Sequence, residues 1–264
     1  MKKLMLFVVS YLLIANAFAQ SSVSASEIID KINNGENVSY QDVSISGDLD
    51  MTQLDNAALD SKNNNSYSSW VNSEMEFKNC TFEGKVIAHF FNESTHTSYA
   101  THFNEKVVFE NCEFKDEVTF KHSKFKGEAM FDGNKFNDEL SCKHSSFTKA
   151  SSFSSTIFGK EADFKHTHFS ENTGFKSSIF QGEADFKHVS FPNHQDFSNV
   201  LFERFADFKH VNFKKGVDMS KTIFKRGSDF KHAHFGANSS LENTVFKGET
   251  DFKHANRTPS KNFR

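Results

Sequence analysis

The stretch from residue 162 to residue 188 reads ADFKHTHFSENTGFKSSIFQGEADFKH, and its phenylalanines decide the fold. They occupy positions 164, 169, 175, 180 and 186, so their spacing alternates between five and six residues. The tetrapeptide Asp-Phe-Lys-His occurs twice in this stretch, and its two copies lie 22 residues apart. Such regularity indicates that one structural unit recurs along the chain.

The same rhythm extends without a slip from residue 109 to residue 252. Within it, only Cys142, Met219 and Leu241 stand where phenylalanine is expected. Further copies of the tetrapeptide begin at residues 207, 229 and 251, and weaker copies begin at residues 119 and 141. The chain contains 33 Phe but one Trp and four Tyr, so its aromatic content is almost entirely one residue type. A single repeated apolar residue indicates a single repeated environment.

Each repeat has the pattern of a very short strand followed by a corner. The residue two positions before each phenylalanine is small or β-branched, as at Ala162 and Thr167, and one polar residue separates the two. This alternation has the period of a strand and not of a helix. Four such units make up 22 residues, which predicts a square coil. Identical residues of successive coils then stack about 4.8 Å apart.

These features resemble the pentapeptide-repeat family, whose members fold as right-handed quadrilateral β-helices. In that family a central Leu or Phe and the small residue two positions before it face inward, as Phe164 and Ala162 would here. The alternating spacing resembles a Phe-rich exported subgroup with an extra residue at every second corner. The resemblance implies an all-β fold, a right-handed quadrilateral parallel β-helix, but no activity, because most of the family has none known.

Two other repetitive folds fit the spacing less well. A left-handed helix of hexapeptides would need a steady spacing of six, which the spacings of five exclude. A three-sided helix of the polysaccharide-lyase type uses about 22 residues per coil, but it does not bring four evenly spaced phenylalanines inward. The square coil therefore fits best.

Residues 1–19 have the pattern of a secretory signal peptide. Lys2 and Lys3 precede an apolar run from Leu4 to Ile14, and Ala17-Phe18-Ala19 forms a small-x-small cleavage site. No later apolar stretch is long enough to span a membrane. The sequence therefore predicts a soluble, exported protein, either periplasmic or secreted.

Residues 20–76 are predicted to form an N-terminal cap and a polar loop. Ser24-x-x-Glu27 reads as a capping box ahead of a short amphipathic helix that ends at Gly35. The Asn- and Ser-rich stretch at 60–69 is predicted as the loop. A solenoid needs such a cap over its open end. The β-helix itself is assigned to residues 77–257, with a loop insertion near residues 89–102.

The three cysteines fall on inward positions of the predicted coil. Once the insertion is subtracted, Cys80 and Cys112 lie one coil apart, each two residues before a phenylalanine. Stacked cysteines can form a disulfide, but buried free thiols acting as small apolar side chains are the favoured interpretation. Cys142 replaces a phenylalanine and is predicted to be buried and inert.

Stacking also places a column of lysines beside a column of histidines on the outer surface. As a functional site, these columns would bind a polyanion or a metal ion. As a structural device, the aspartate before each phenylalanine would neutralise the lysine after it, each exposed pair contributing about 0–1 kcal/mol. We favour the structural interpretation, and we expect no metal site and no cofactor, because a linear column offers only two ligands at a time. The candidate binding residues are Lys165, His166, Lys187, His188, Lys209, His210, Lys231 and His232.

The insertion near residues 89–102 is the second candidate binding site. Loops carry binding sites more often than repeated scaffold does. Four of the residues in this stretch have side chains suited to a ligand: His89, His96, Tyr99 and His102.

The sequence contains no motif that indicates catalysis. It has no nucleophile elbow, metalloprotease helix, phosphate loop or dinucleotide fingerprint. We therefore expect an exported non-enzymatic scaffold whose partner is a protein or a cell-envelope glycan. The alternative is binding, or less plausibly cleavage, of an acidic polysaccharide or other polyanion along the lysine and histidine columns. The corners between residues 109 and 252 are uniformly short, whereas lyases build their cleft from long loops.

We expect no nucleic acid among the partners. Some cytoplasmic members of the family mimic DNA and bind gyrase, which requires a strongly acidic surface. This chain carries a formal net charge of −3 and an export signal, and its acidic column is matched by lysines. Residues 258–264 form a basic tail, which would cover the C-terminal end of the helix or leave that end to pair with a second copy of the chain.

Overall fold

The structure is a computed structural model that describes residues 21–61 and 63–258. The predicted signal peptide and most of the predicted basic tail lie outside these residues. The chain winds through successive coils, and each coil adds one short strand to each of four sheets. We number the four faces in the order in which a complete coil visits them. Within residues 21–61 and 63–258, no helix is both long and apolar enough to cross a membrane.

Faces 1 and 2 consist of parallel strands only. Face 1 contains Val38–Gln41, Met75–Lys78, Val107–Glu110, Ala129–Met130, Ser151–Ser152, Thr173–Gly174, Gln195–Asp196 and Val217–Asp218. Face 2 contains Ser21–Ser24, Val43–Ser46, Thr81–Phe82, Glu113–Phe114, Lys135–Phe136, Ile157–Phe158, Ile179–Phe180, Leu201–Phe202, Ile223–Phe224 and Val245–Phe246.

Face 3 is also parallel, whereas face 4 carries two antiparallel additions. Face 3 contains Leu49–Asp50, Val86–Ile87, Val118–Thr119, Leu140–Ser141, Ala162–Asp163, Ala184–Asp185, Ala206–Asp207, Ser228–Asp229 and Thr250–Asp251. Face 4 contains Ala58–Asp60, Asn63–Val71, His89–Asn92, Thr97–Phe103, Lys124–Phe125, Ser146–Phe147, His168–Phe169, Ser190–Phe191, Asn212–Phe213 and His234–Phe235.

The strand register confirms the 22-residue coil. On face 2, Phe158 pairs with Phe180, and Phe180 pairs with Phe202. On face 3, Asp163 pairs with Asp185. The prediction of an all-β parallel helix with four sides is therefore confirmed.

The phenylalanine side chains fill the inside of the coil. Phe164 stacks on Phe186 of the next coil with ring centroids 5.1 Å apart, and it meets Phe175 of the adjacent face edge-on at 5.2 Å. All three side chains are fully buried. Burial of one Phe contributes about 1.5–3 kcal/mol, and a ring pair adds about 0.5–1.5 kcal/mol. The core is therefore stable without a disulfide or a metal ion.

The corners that follow faces 1 and 3 are tight turns. In the corner after Phe164, the backbone N–H of Thr167 donates to the Phe164 carbonyl oxygen at 2.9 Å, and His166 has a φ of +58°. The Thr167 hydroxyl faces inward and donates to the carbonyl oxygen of Cys142 in the preceding coil at 2.7 Å. Polar residues are tolerated at this inward position because a backbone acceptor satisfies them.

The N-terminal cap contains the predicted helix, which spans Ala25–Asn33. The hydroxyl of Ser24 accepts a hydrogen bond from the Glu27 N–H at 3.1 Å, as expected of an N-cap residue. Ala25, Ile28 and Ile32 are buried against the first coil. This first coil begins at Val38 and is irregular.

Residues 60–69 differ from the predicted polar loop, because most of them form the strand Asn63–Val71. The insertion near residues 89–102 likewise forms a β-hairpin, His89–Asn92 and Thr97–Phe103, and not a loop. Asn63–Val71 and Thr97–Phe103 pair in parallel, with Tyr67 opposite Tyr99. We call the sheet formed by Ala58–Asp60, Asn63–Val71, Thr97–Phe103 and His89–Asn92 the wing. Its central strands are longer than the two-residue strands of face 4 and extend beyond the coil.

The last coil is less well covered than the coils before it. Leu241, Phe246 and Phe252 are only partly buried, although each occupies an inward position. The guanidinium of Arg257 donates to the Ala237 carbonyl oxygen at 3.2 Å. Whether two copies pair through this end stays a prediction.

Candidate functional site

The predicted lysine column lies on face 3 and forms a continuous ladder of ion pairs. Lys187 Nζ lies 2.9 Å from Asp185 and 3.4 Å from Asp207. Lys209 and Lys231 bridge in the same way to the aspartates of their own coil and of the next coil, at 3.3–4.0 Å. Each of these three amino groups is therefore shared by two carboxylates.

The aspartates also hold the corners of the coil. In each copy of the tetrapeptide, the carboxylate accepts the backbone N–H of the lysine two residues later, at 2.9 Å for Asp163 and Lys165 and at 2.8 Å for Asp185 and Lys187. Such local side-chain bonds stabilise turns. The geometry therefore favours the structural interpretation of this column.

The histidine column forms a stack of imidazoles along the corner after face 3. Ring centroids of successive members lie 4.7–5.1 Å apart. The stack comprises His89, His122, His144, His166, His188, His210, His232 and His254. The last seven have φ between +56° and +62°, the left-handed region that non-glycine residues rarely adopt. The column thus includes all four of the predicted candidate histidines: His166, His188, His210 and His232.

Stacking lowers the proton affinity of several of these imidazoles. Burial and the charges of His144 and Lys121 lower the pKa of His122 to about 4, because its ring faces are covered although its outer edge is exposed. Burial, followed by neighbouring histidines and lysines, also lowers the pKa values of His144, His166 and His188. Among the described residues, no group of three or more His, Cys, Asp or Glu side chains could hold a metal ion.

The wing presents two different sides. On one side, Leu59, Tyr67, Tyr99 and Phe90 lie opposite one another across the four strands. The Tyr67 and Tyr99 rings stack at 5.2 Å, and the Leu59 and Phe90 side chains at the two ends are exposed. This apolar row has no counterpart on the regular coils that the structure describes.

The other side of the wing faces the corner of the next coil across a cleft of about 410 Å³. Ser66, Ser68 and Ser98 lie on the wing side of this cleft. Lys121 and Lys124 line it from the coil. The remaining lining side chains include the aromatic ring of Phe91, one carboxylate and three imidazoles: Phe91, Asp60, His89, His102 and His122.

The imidazoles His89 and His102 are fixed in the cleft by hydrogen bonds. His89 Nε2 lies 3.2 Å from the Ser98 hydroxyl, and His102 Nδ1 accepts the Lys124 N–H at 3.2 Å. Burial lowers the pKa of each to about 4, helped by the charge of Lys121 at His89 and of Lys124 at His102. Both rings are therefore neutral at pH 7, and His102 carries its proton on Nε2.

The structure brings together two of the four predicted insertion residues. His89 and His102 line the cleft, whereas Tyr99 lies on the opposite side of the wing. His96 lies in the hairpin turn with a φ of +52°, its Nδ1 2.6 Å from the Glu93 carbonyl oxygen. The serines and Lys124 were not predicted, because no periodicity indicates which residues of the two wing segments pair.

A comparison with known families fits this geometry. The family model described as pentapeptide repeats (9 copies) matches residues 99–146, 164–212, 175–223 and 208–256, together more than half of the chain. The chain belongs to the pentapeptide-repeat family. Pentapeptide-repeat proteins are generally non-catalytic structural repeats. No curated protein and no solved structure matches the chain.

The cysteines of this pentapeptide-repeat protein are free and buried. Cys80 and Cys112 lie on adjacent coils, since Thr81 pairs with Glu113. A hydrogen bond between the two thiols lowers the pKa of Cys80 to about 7 and, together with burial, raises the pKa of Cys112. Burial raises the pKa of Cys142 as well. The predicted inward positions of all three are confirmed.

Proposed function

We propose that this pentapeptide-repeat protein is exported and acts as a non-enzymatic scaffold that binds a partner of the cell envelope through the wing. The wing itself is the observation that carries the proposal. It is a sheet exposed on both sides, with an apolar row on one side and a polar cleft on the other. The regular coils instead have short corners, and on face 3 their charges pair with one another.

A binding role is also supported by the chemistry of the cleft. The imidazoles His89 and His102 are neutral and engaged in hydrogen bonds, so neither is placed as a general base beside a nucleophile. Export is supported by the pattern of residues 1–19, which predicts a mature chain that begins at Gln20.

Site-specific photo-crosslinking in intact cells tests the proposal. A photoreactive residue at Phe90 on the wing should give a discrete adduct, and one at Ile179 on face 2 should not. The same samples should contain a chain that begins at Gln20 in the exported fraction. Adducts of equal yield from both positions, or a chain retained with residues 1–19, would contradict the proposal.

Binding of a polyanion along the lysine and histidine columns is the second candidate. It is favoured at one end of face 3, where Thr119 and Ser141 stand in place of the column's aspartates. Farther along, the amino groups of Lys187, Lys209 and Lys231 are already shared between carboxylates. The positive charge available to a polyanion is thus greatest near Lys121, beside the wing.

A further inference from the structure

We propose that the cleft between the wing and the coil binds an acidic sugar unit of a polysaccharide, with the sugar carboxylate between Lys121 and Lys124. This inference rests on the proposed binding role of the wing and names the class of ligand. Four observations support it: the size of the cleft, its charge, its hydroxyl groups and its aromatic wall.

The size of the cleft suits a small polar ligand. Its volume of about 410 Å³ lies within the range of about 300–1,000 Å³ that is usual for small-molecule sites. Two separate parts of the chain form it, the wing on one side and the corner that carries Lys121 and Lys124 on the other. The opening leaves room for a chain of sugars to continue beyond the bound unit.

The charge of the cleft favours an anion. Within the described part of the chain, neither Lys121 nor Lys124 forms an ion pair, in contrast to Lys187, Lys209 and Lys231 of the same face. One carboxylate, Asp60, lines the same cleft against two amino groups. The lysine charges also contribute to the low pKa values of His89, His102 and His122, which independently indicates a positive potential.

The polar groups of the cleft match sugar hydroxyls. Ser66 lies directly opposite Ser98, and Ser68 lies opposite Ala100, so short side chains form a shallow floor with hydroxyls at regular intervals. Hydroxyls both donate and accept hydrogen bonds, as sugar hydroxyls do. The neutral imidazole of His102 adds one donor, because its Nδ1 already accepts the Lys124 N–H.

The aromatic wall of the cleft distinguishes a sugar from a simple anion. Phe91 lies opposite Ser98 at the edge of the wing, and 43% of its surface is exposed. An exposed ring beside hydroxyl groups suits a ligand with one apolar face and several polar edges, which is the character of a pyranose. An inorganic anion would gain nothing from this ring.

Titration calorimetry of the mature protein with two matched tetrasaccharides tests the inference. One is a tetramer of galacturonic acid, and the other is the galactose tetramer, which has a hydroxymethyl group where the first has a carboxylate. We expect the acidic tetramer to bind about tenfold tighter or better, as for a gained charge-assisted hydrogen bond. Equal affinity for the two tetramers, or binding of neither, would overturn the inference.

Variants locate the site. The double variant Lys121→Gln, Lys124→Gln should lose about tenfold or more in affinity for the acidic tetramer. The charge-matched control Lys176→Gln, Lys247→Gln, which alters exposed lysines outside the cleft, should bind as the unaltered protein does. Both variants should keep the unaltered melting temperature. If the control loses affinity equally, the effect is one of general charge, and the proposed cleft is wrong.

A hexapeptide of glutamate separates the sugar from an acidic protein partner. The variant Ser66→Val, Ser98→Val should lose the tetrasaccharide, whereas tight binding of the peptide to this variant and to the unaltered protein would assign the cleft to a protein and refute the sugar. If no tetrasaccharide binds while Phe90 still gives its adduct in cells, only this inference fails. Loss of both results would refute the proposed function as well.

Discussion

His188 shows how one backbone conformation constrains a residue. Its φ of +58° places it in the left-handed region, and its ring stacks between His166 and His210 at 4.7 and 4.8 Å. The equivalent corner after face 1 contains Asn199 with the same φ. Asparagine and histidine tolerate this conformation better than β-branched residues do. The histidine column is therefore a set of turn residues that also stack.

Replacement of His188 by valine tests this account at the residue scale. We expect His188→Val to destabilise the protein by about 1–2 kcal/mol, because a β-branched residue is strained at positive φ. His188→Asn removes the same ring but suits the turn, so it should cost much less. Thermal melting of the two variants measures the difference, and equal melting temperatures would show that only the stacking matters.

Each coil is an element that depends on its neighbours. Phe186 is fully buried between Phe164 and Phe208, with ring centroids at 5.1 and 4.9 Å. Phe252 stacks on one phenylalanine of its column, Phe230 at 4.8 Å, and is only partly buried. In a repeat protein, stability is close to a sum of terms between neighbouring units. A central coil should therefore lose more than a terminal one.

Two phenylalanine variants compare these positions. Phe186→Ala should cost about 3–5 kcal/mol, the usual effect of removing a buried aromatic side chain. Phe252→Ala should cost clearly less, because the terminal coil has fewer contacts to lose. Urea unfolding followed by circular dichroism measures both. A larger loss at Phe252 would contradict the nearest-neighbour description of the rod.

The histidine column predicts a loss of stability in mild acid. The pKa of His122 falls to about 4 in the folded protein, and those of His144, His166 and His188 also lie below the ordinary value of 6.5. Between these values the unfolded chain binds more protons than the folded chain, so stability falls as the pH falls through this window. The melting temperature should therefore drop between pH 8 and about pH 5, by about 2–4 °C per kcal/mol lost.

A variant with asparagine at these four histidines provides the control, since asparagine suits the turn and does not titrate. Its melting temperature should depend less on pH. The carboxyls of Glu161 and Asp163 act in the opposite direction, because burial raises their pKa values above 4.5 and 3.8. Their effect is confined to more acidic solutions near those values. An unaltered protein whose melting temperature is the same at both pH values would refute the role of the column.

The sequence predicted the columns of the coil but not the wing. Phenylalanine spacing was sufficient because each ring has one buried environment, which repeats every 22 residues. The wing breaks this period: Ala88 stands where Phe120 stands one coil later, and the hairpin follows at once. Asn63–Val71 exposes polar residues on both sides, so no alternation of apolar residues marks it as a strand. The cleft depends on how these strands pair, which composition does not reveal.

At the scale of the whole molecule, the two ends of the rod differ. The helix Ala25–Asn33 covers the N-terminal end with three buried side chains. At the other end, Val245 is exposed and Phe246 and Phe252 are half-buried. Open ends with unpaired strand edges promote self-association. The cap thus limits association at the end that carries the wing.

Disruption of the cap tests this asymmetry. Ile28→Asp places a charge where the side chain is fully buried, so it should displace the helix and expose the first coil. Ile29→Asp makes the same change on the partly exposed side of the helix and serves as the control. Size-exclusion chromatography with light scattering should detect larger species for Ile28→Asp only. Monodisperse Ile28→Asp of unchanged mass would show that the cap is dispensable for solubility.

The unbroken register of the coils makes the rod a molecular ruler. Each turn advances the chain by one strand spacing of about 4.8 Å, and every turn between Phe109 and Phe252 uses the same 22 residues. Duplication or deletion of one such block would lengthen or shorten the rod by a fixed step and leave every column continuous. The distance between the wing and the far end is therefore a quantity that simple gene rearrangements can adjust, one increment at a time.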